Sequence, residues 1–283
     1  MPDFVRIFEM GPRDGLQNEA AQIATADKVA LVDKLSDCGF DHIEVTSFVS
    51  PKWVPQMADA PEVLAGIKRA SGVAYTALTP NMRGYENARA AKASGVAIFG
   101  SASEGFSQAN INCSIAESLA RFRPLVAAAL ADGIPVRGYV SCVVECPYDG
   151  PVLPDAVAKV AAELLAMGCY EVSLGDTIGA GTPDSVRAML AAVLQGVPAA
   201  KLAGHFHDTN GRAVENIEVS LDAGLRCFDA AIGGLGGCPY APGAAGNVDT
   251  LTVGRRLAEL GYETGLDRTR LEEAADFAKG LVG

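Results

Sequence analysis

The chain has 283 residues, 49% hydrophobic and 20% charged, and a formal net charge of −11. That is a globular composition with enough chain for a large core. The acidic balance argues against a nucleic-acid binder, which usually shows a basic face, and no apolar run is long and charge-free enough to span a membrane.

Taken in order, the chain alternates strand and helix. Residues 5–9 form a short β-rich run that breaks at Gly11-Pro12-Arg13-Asp14-Gly15. A helix opens at Thr25, the expected N-cap, and stops before Gly39. A second strand covers 42–45 and a second helix 61–69, with Pro61 in its first turn. Strand 73–78 leads to helix 85–93, strand 96–99 to helix 115–131, and strand 136–140 to helix 154–167. Strand 170–174 precedes helix 183–194, and strand 202–205 precedes helix 212–223. An eighth strand, 226–231, enters a long glycine-rich loop over 233–246, and helix 248–260 closes the series.

Eight strand–helix units with short connections predict a (β/α)8 TIM barrel, an α/β fold, as one catalytic domain over 1–283. A doubly wound open sheet would also fit alternating elements, but no Gly-x-Gly-x-x-Gly opens the first helix. Residues 266–283 add a C-terminal amphipathic helix, expected to pack on the barrel or on a neighbouring subunit; a homodimer is expected on that ground. The seven cysteines are odd in number and scattered, and no secretory leader opens the chain. Reduced thiols and a cytoplasmic location are therefore expected.

Barrel chemistry collects on the loops after the strands. Those loops carry Arg13, Asp14 and Gln17 after the first strand, Glu44, Thr46 and Ser47 at the second, and Ser101, Ser103 and Glu104 after the fourth. The fifth carries Arg137, Tyr139 and Ser141, the sixth Asp176, the seventh His205 and His207, and the eighth Cys238 and Asn247. Two of the chain's three histidines are thus one residue apart at a strand end, where positions two apart point the same way. Neutral imidazoles so placed can ligate a metal if oxygen ligands arrive from elsewhere. They can equally be two hydrogen-bonded histidines at the edge of a core.

Four stretches bear a closer likeness. Gly11-Pro12-Arg13-Asp14-Gly15-Leu16-Gln17-Asn18, the run Glu44–Trp53, Ser173-Leu174-Gly175-Asp176-Thr177 and Gly234-Leu235-Gly236-Gly237-Cys238-Pro239-Tyr240 resemble the hydroxymethylglutaryl-CoA lyase family. The resemblance runs from about Val5 to Asn247. It implies retro-Claisen cleavage of 3-hydroxy-3-methylglutaryl-CoA to acetyl-CoA and acetoacetate. It makes Asp14, His205, His207 and Asn247 the metal ligands and Cys238 the catalytic thiol on a mobile loop. It makes Glu44 and Asp176 supporting or proton-handling carboxylates. Substrate contacts fall to Arg13, Gln17, Arg137 and Asn110, with an acyl-CoA thioester as the bound partner.

Two imidazoles plus two oxygen ligands suit Mg²⁺ or Mn²⁺, although imidazole also admits Zn²⁺ or Co²⁺. Arg13 offers a fixed charge for a developing enolate. Two positions depart from the family pattern: Leu251 stands where an acidic residue is usual, and Ala109 where a lysine is usual. They leave open a lyase for a related 3-hydroxy-3-substituted glutaryl-CoA. The same residues also admit a Claisen-type acyl-CoA synthase of the same superfamily, or a non-catalytic metal-binding barrel.

Overall fold

In the computed structural model the backbone is described for residues 3–238 and 241–282, and side chains for these residues outside 237–245. In chain order the first elements are β1 (Arg6–Glu9), α1 (Thr25–Ser36), β2 (His42–Ser47), α2 (Ala60–Gly66), β3 (Ala74–Leu78), α3 (Met82–Ala90), β4 (Gly95–Ser101), α4 (Glu104–Ile111) and α5 (Ile115–Ala131). Then come β5 (Val136–Ser141), β6 (Glu145–Cys146), β7 (Gly150–Pro151), α6 (Pro154–Met167), β8 (Glu171–Asp176), α7 (Pro183–Val193), β9 (Leu202–Phe206) and α8 (Ala213–Asp222). The last are β10 (Cys227–Ala230), β11 (Gly237–Cys238), β12 (Ala241–Ala245), α9 (Thr250–Glu259) and α10 (Arg268–Val282).

Eight of these strands close a barrel in the order β1-β10-β9-β8-β5-β4-β3-β2, and every pairing is parallel. This is the (β/α)8 barrel that the alternating pattern predicts, with α10 as the extra C-terminal helix. Strand alternation divides the apolar residues between two cores. On β9, Leu202 and Phe206 pack outward into the large core beneath the helices, while Ala203 joins Phe8, Met10, Leu78, Ala97, Tyr139 and Cys227 inside the barrel. The interior is also unusually charged: Glu44, Arg137, Glu171 and Asp229 are all buried. Burial of that kind demands partners.

Several boundaries differ from the sequence-based expectation for local reasons. Ala24, not Thr25, is the N-cap of α1. The Thr25 hydroxyl instead donates to Asp59 at 2.7 Å, tying α1 to the start of α2. Helix α2 ends at Gly66, short of residue 69. Helix α4 falls in a stretch without helical apolar periodicity. It is held by its ends: Ser103 accepts from the Phe106 N–H, and Asp149 accepts from the Gly105 N–H at 2.7 Å. The glycine-rich loop contains a hairpin, β11–β12. Helix α10 buries Leu271, Ala274, Ala275 and Ala278 against α1 and the turn Ile232–Gly234. Its apolar face is thus occupied by the barrel itself, and the tail helix gives no separate argument for a dimer.

Candidate active site

The first segment of the site is a single π-helical turn, Gly11–Gly15, directly after β1. Met10 O accepts from the N–H groups of both Arg13 and Gly15. Gly11 is required there: an added Cβ would lie 2.7 Å from Glu9 Oε1 and 3.0 Å from Ile232 Cγ2. Glu9 anchors the turn by accepting from Gly11 N at 2.7 Å. It also accepts from Ile232 N at 2.9 Å and from the Thr250 hydroxyl at 2.8 Å. The turn thereby holds Arg13 and Asp14 at the C-terminal rim.

The second segment is the end of β9. His205 is aligned with Asp229 on one neighbouring strand and Gly175 on the other. His207 forms an antiparallel bridge with Asn247, so the strand after the hairpin runs beside the histidines. Asn247 Nδ2 donates to Asp14 Oδ2 at 2.8 Å. It is not the cap of α9; Asp249 takes that place, accepting from Thr252 N. The Nε2 atoms of His205 and His207 lie 3.8 and 3.9 Å from Asp14 Oδ2. One ligand atom from each of the three residues falls within 4.8 Å of the others.

This donor set fits a divalent cation. Burial works against ionising Asp14, but the Arg13 guanidinium and both imidazoles hold its carboxyl well below the usual carboxylate range. Burial and the charge of His205 push His207 down to about 4, which keeps that ring neutral and ligand-competent. Burial opposes charge on His205 as well, but its hydrogen bond to Asp229 outweighs that and raises it. The His207 Nδ1 atom is buried and meets no partner among the described residues.

Around the ligands lies a chain of buried charge. Arg13 Nε donates to Glu44 and Arg13 Nη1 to Asp14. The other Glu44 oxygen accepts from the Tyr139 hydroxyl at 2.9 Å. Asp176 is fully buried, and its oxygens accept from Ala180 N at 3.1 Å and Gly181 N at 2.8 Å. It shapes the loop after β8, while Thr182 caps α7. Burial raises the Asp176 carboxyl above its ordinary value.

The remaining expected residues are more scattered. Arg137 is not at the rim. It is 1% exposed inside the barrel, donates to Glu171 and Asp229 at 2.8 Å and to Tyr139 at 3.0 Å, and lies 4.2 Å over the Phe8 ring. Nε, Nη1 and Nη2 each donate to a partner inside the barrel, so the structure places Arg137 among buried groups and not beside Arg13 and Asp14. Gln17 Oε1 is buried and meets no partner among the described residues, and Asn110 is exposed near the end of α4. Cys238 belongs to β11, but its side chain lies outside the described residues. Sequence reasoning missed Glu9 and Asp229. Each is a lone acid in an apolar strand, which is itself a signal, since buried carboxylates persist only when paired.

The HMGL-like family model matches residues 4–278. The chain is 56% identical over 277 residues to the 3-hydroxy-3-methylglutaryl-CoA lyase, cytoplasmic, of Danio rerio, covering 98% of this chain and 83% of that protein. It is 55% identical to the 3-hydroxy-3-isohexenylglutaryl-CoA/hydroxy-methylglutaryl-CoA lyase of Pseudomonas aeruginosa, covering 100% and 94%. The crystal structure of the HMG-CoA lyase from Brucella melitensis superposes with a TM-score of 0.98 at 64% identity and covers 99% of both chains. With a matching fold, full-length coverage and this ligand cluster, the chain belongs to the HMGL-like family.

Proposed function

We propose that this chain is a hydroxymethylglutaryl-CoA lyase that cleaves 3-hydroxy-3-methylglutaryl-CoA to acetyl-CoA and acetoacetate. The observation that carries the proposal is the Asp14–His205–His207 cluster beside the Arg13 guanidinium. A divalent cation, Mg²⁺ or Mn²⁺, would be held by these three side chains and the amide oxygen of Asn247, and would lower the pKa of the substrate alcohol.

The reaction breaks the C2–C3 bond. The tertiary alcohol passes its proton to a buried carboxylate of the site, Asp176, whose affinity for a proton burial raises; it becomes the ketone of acetoacetate, and the bonding electron pair passes to C2 of the thioester fragment. Arg13, held by Glu44 and Asp14, supplies a fixed positive charge for the enolate that results. The Cys238 thiol returns a proton to C2, giving acetyl-CoA. Glu44 has both oxygens engaged and orients Arg13 and Tyr139. Asp176 shapes the loop after β8 and adds negative charge near His205. Gln17 and Asn110 contact the acyl-CoA, the one through Oε1, which meets no partner among the described residues, and the other from exposed α4.

The test is acetyl-CoA release from 3-hydroxy-3-methylglutaryl-CoA by purified protein with Mg²⁺ or Mn²⁺, lost on chelation and restored by either ion. No turnover with either ion defeats the proposal. A panel of 3-hydroxy-3-substituted glutaryl-CoAs belongs in the same assay. A longer acyl branch is favoured as a second substrate by apolar Leu251, partly buried at the start of α9, and by the isohexenylglutaryl-CoA named for the Pseudomonas aeruginosa relative. No described helix is long and apolar enough to cross a membrane. The cytoplasm is the expected compartment, and light scattering tests the expected homodimer.

A further inference from the structure

His205 and His207 are not held alike. His207 Nδ1 meets no partner among the described residues, whereas His205 Nδ1 lies 3.1 Å from Asp229 Oδ2. Asp229 is 2% exposed and aligned with His205 on the neighbouring strand, so the two side chains enter the barrel together. Its two oxygens have different duties. Oδ1 accepts from Arg137 Nη2 at 2.8 Å. Oδ2 accepts from the Ser173 hydroxyl at 2.8 Å and faces His205. The chain continues from Arg137 through Tyr139 and Glu44 to Arg13, and Arg13 bonds Asp14. A chain of hydrogen bonds thus runs from Asp229 to Arg13 and Asp14, and the 3.8 Å approach of Asp14 Oδ2 to His205 Nε2 closes it.

We propose that Asp229 is a positioning residue: it fixes His205 as the Nδ1–H tautomer and aims its bare Nε2 at the cation. This role rests on the metal-centre reading of Asp14, His205 and His207. An ionised carboxylate only accepts, so a neutral His205 must present its proton on Nδ1. Nε2, 3.8 Å from Asp14, is then left with its lone pair towards the ligand cluster. Carboxylate partners of this kind set both ring orientation and ligand basicity. Arg137 makes the arrangement directional. Its Nη2 claims Oδ1, which leaves Oδ2 as the oxygen that accepts from Ser173 and faces His205.

That directionality gives Asp229→Asn a specific outcome. Arg137 can only donate, so it will claim the single amide oxygen. The amide nitrogen then occupies the Oδ2 position and donates to Ser173 and to His205 Nδ1. His205 is driven to the Nε2–H tautomer, which points a proton at the cation. The opposite amide orientation sets two donors against each other in a buried site and is the costlier one.

The test has two independent readings. Calorimetric titration of Mn²⁺ into metal-free protein is expected to show binding about 10- to 100-fold weaker in Asp229→Asn than in wild type. Long-range ¹H–¹⁵N spectra of metal-free protein at alkaline pH report the tautomers. The chain has three histidines, and the His205 signals are assigned by their loss in His205→Gln. The expected result is Nδ1–H for wild type and Nε2–H for Asp229→Asn. An Nε2–H His205 in wild type, or equal Mn²⁺ affinity in the two proteins, overturns the proposal. If Asp229→Asn does not fold, the wild-type spectrum alone decides. Wild type that takes up no Mn²⁺ defeats the metal-centre reading instead, a result separate from any difference between the two proteins.

Discussion

Arg13 and Asp14 are neighbours in sequence with opposite tasks, and their charges support each other. The Arg13 fork reaches Glu44 through Nε and Asp14 through Nη1, which a lysine cannot reproduce. Arg13→Lys is therefore expected to keep the cation and lose about 10²- to 10³-fold in kcat, as removal of one transition-state stabiliser typically does. Steady-state kinetics beside elemental analysis checks this, and a kcat near wild type would demote Arg13 to an ion-pair partner. His207→Ala should fail to retain metal on gel filtration, and unchanged metal content would remove it as a ligand. These residues were legible in the sequence because Arg-Asp-Gly and His-x-His are short and fall just after predicted strands. Asp229 was not, since its meaning depends on strand register: only the β9–β10 alignment sets it opposite His205.

Among the elements, the glycine segment after β10 is set by more than permissiveness. Gly233, Gly234 and Gly236 have φ of +67°, +65° and +97°, the left-handed region that other residues rarely adopt. Gly236 is also crowded: an added Cβ would come within 2.9 Å of Asn247 Nδ2 and 3.2 Å of Gly15 Cα. Gly236→Ala is expected to push Asn247 from Asp14, weaken metal binding, and cost on the order of 1–3 kcal/mol of stability from backbone strain. Thermal melts with and without Mn²⁺ measure both effects; a melt within a degree of wild type and equal Mn²⁺ stabilisation would exclude the strain. The barrel strands were readable as apolar runs ended by turn residues. Helix α4 was not, because it depends on a contact from a distant segment, Asp149 on Gly105.

For the whole molecule, the decisive join is barrel closure, where β1 pairs with β10 across most of the chain. Glu9 fastens that join. One buried carboxylate binds the Arg13–Asp14 turn, the Ile232 turn and the first residue of α9. Burial pushes its carboxyl from an ordinary 4.5 up to about 7, although the N–H groups of Ile232 and Gly11 and the Thr250 hydroxyl favour the ionised form. Between those two values the folded protein holds a proton that the unfolded chain has released. The stability Glu9 contributes is therefore fully present below about 4.5 and is lost as pH rises through about 7. Glu9→Gln keeps an oxygen for Gly11 and Ile232, and the Thr250 hydroxyl can turn to accept from the new amide. The variant should thus lack this pH dependence. Melting temperatures from about pH 5 to about pH 8 are expected to fall in wild type relative to Glu9→Gln, by a few degrees at the upper end, since about 1 kcal/mol shifts Tm by about 2–4 °C at this size. Parallel curves would mean that Glu9 does not take up its proton in this range, and that the join is held by a permanently ionised carboxylate.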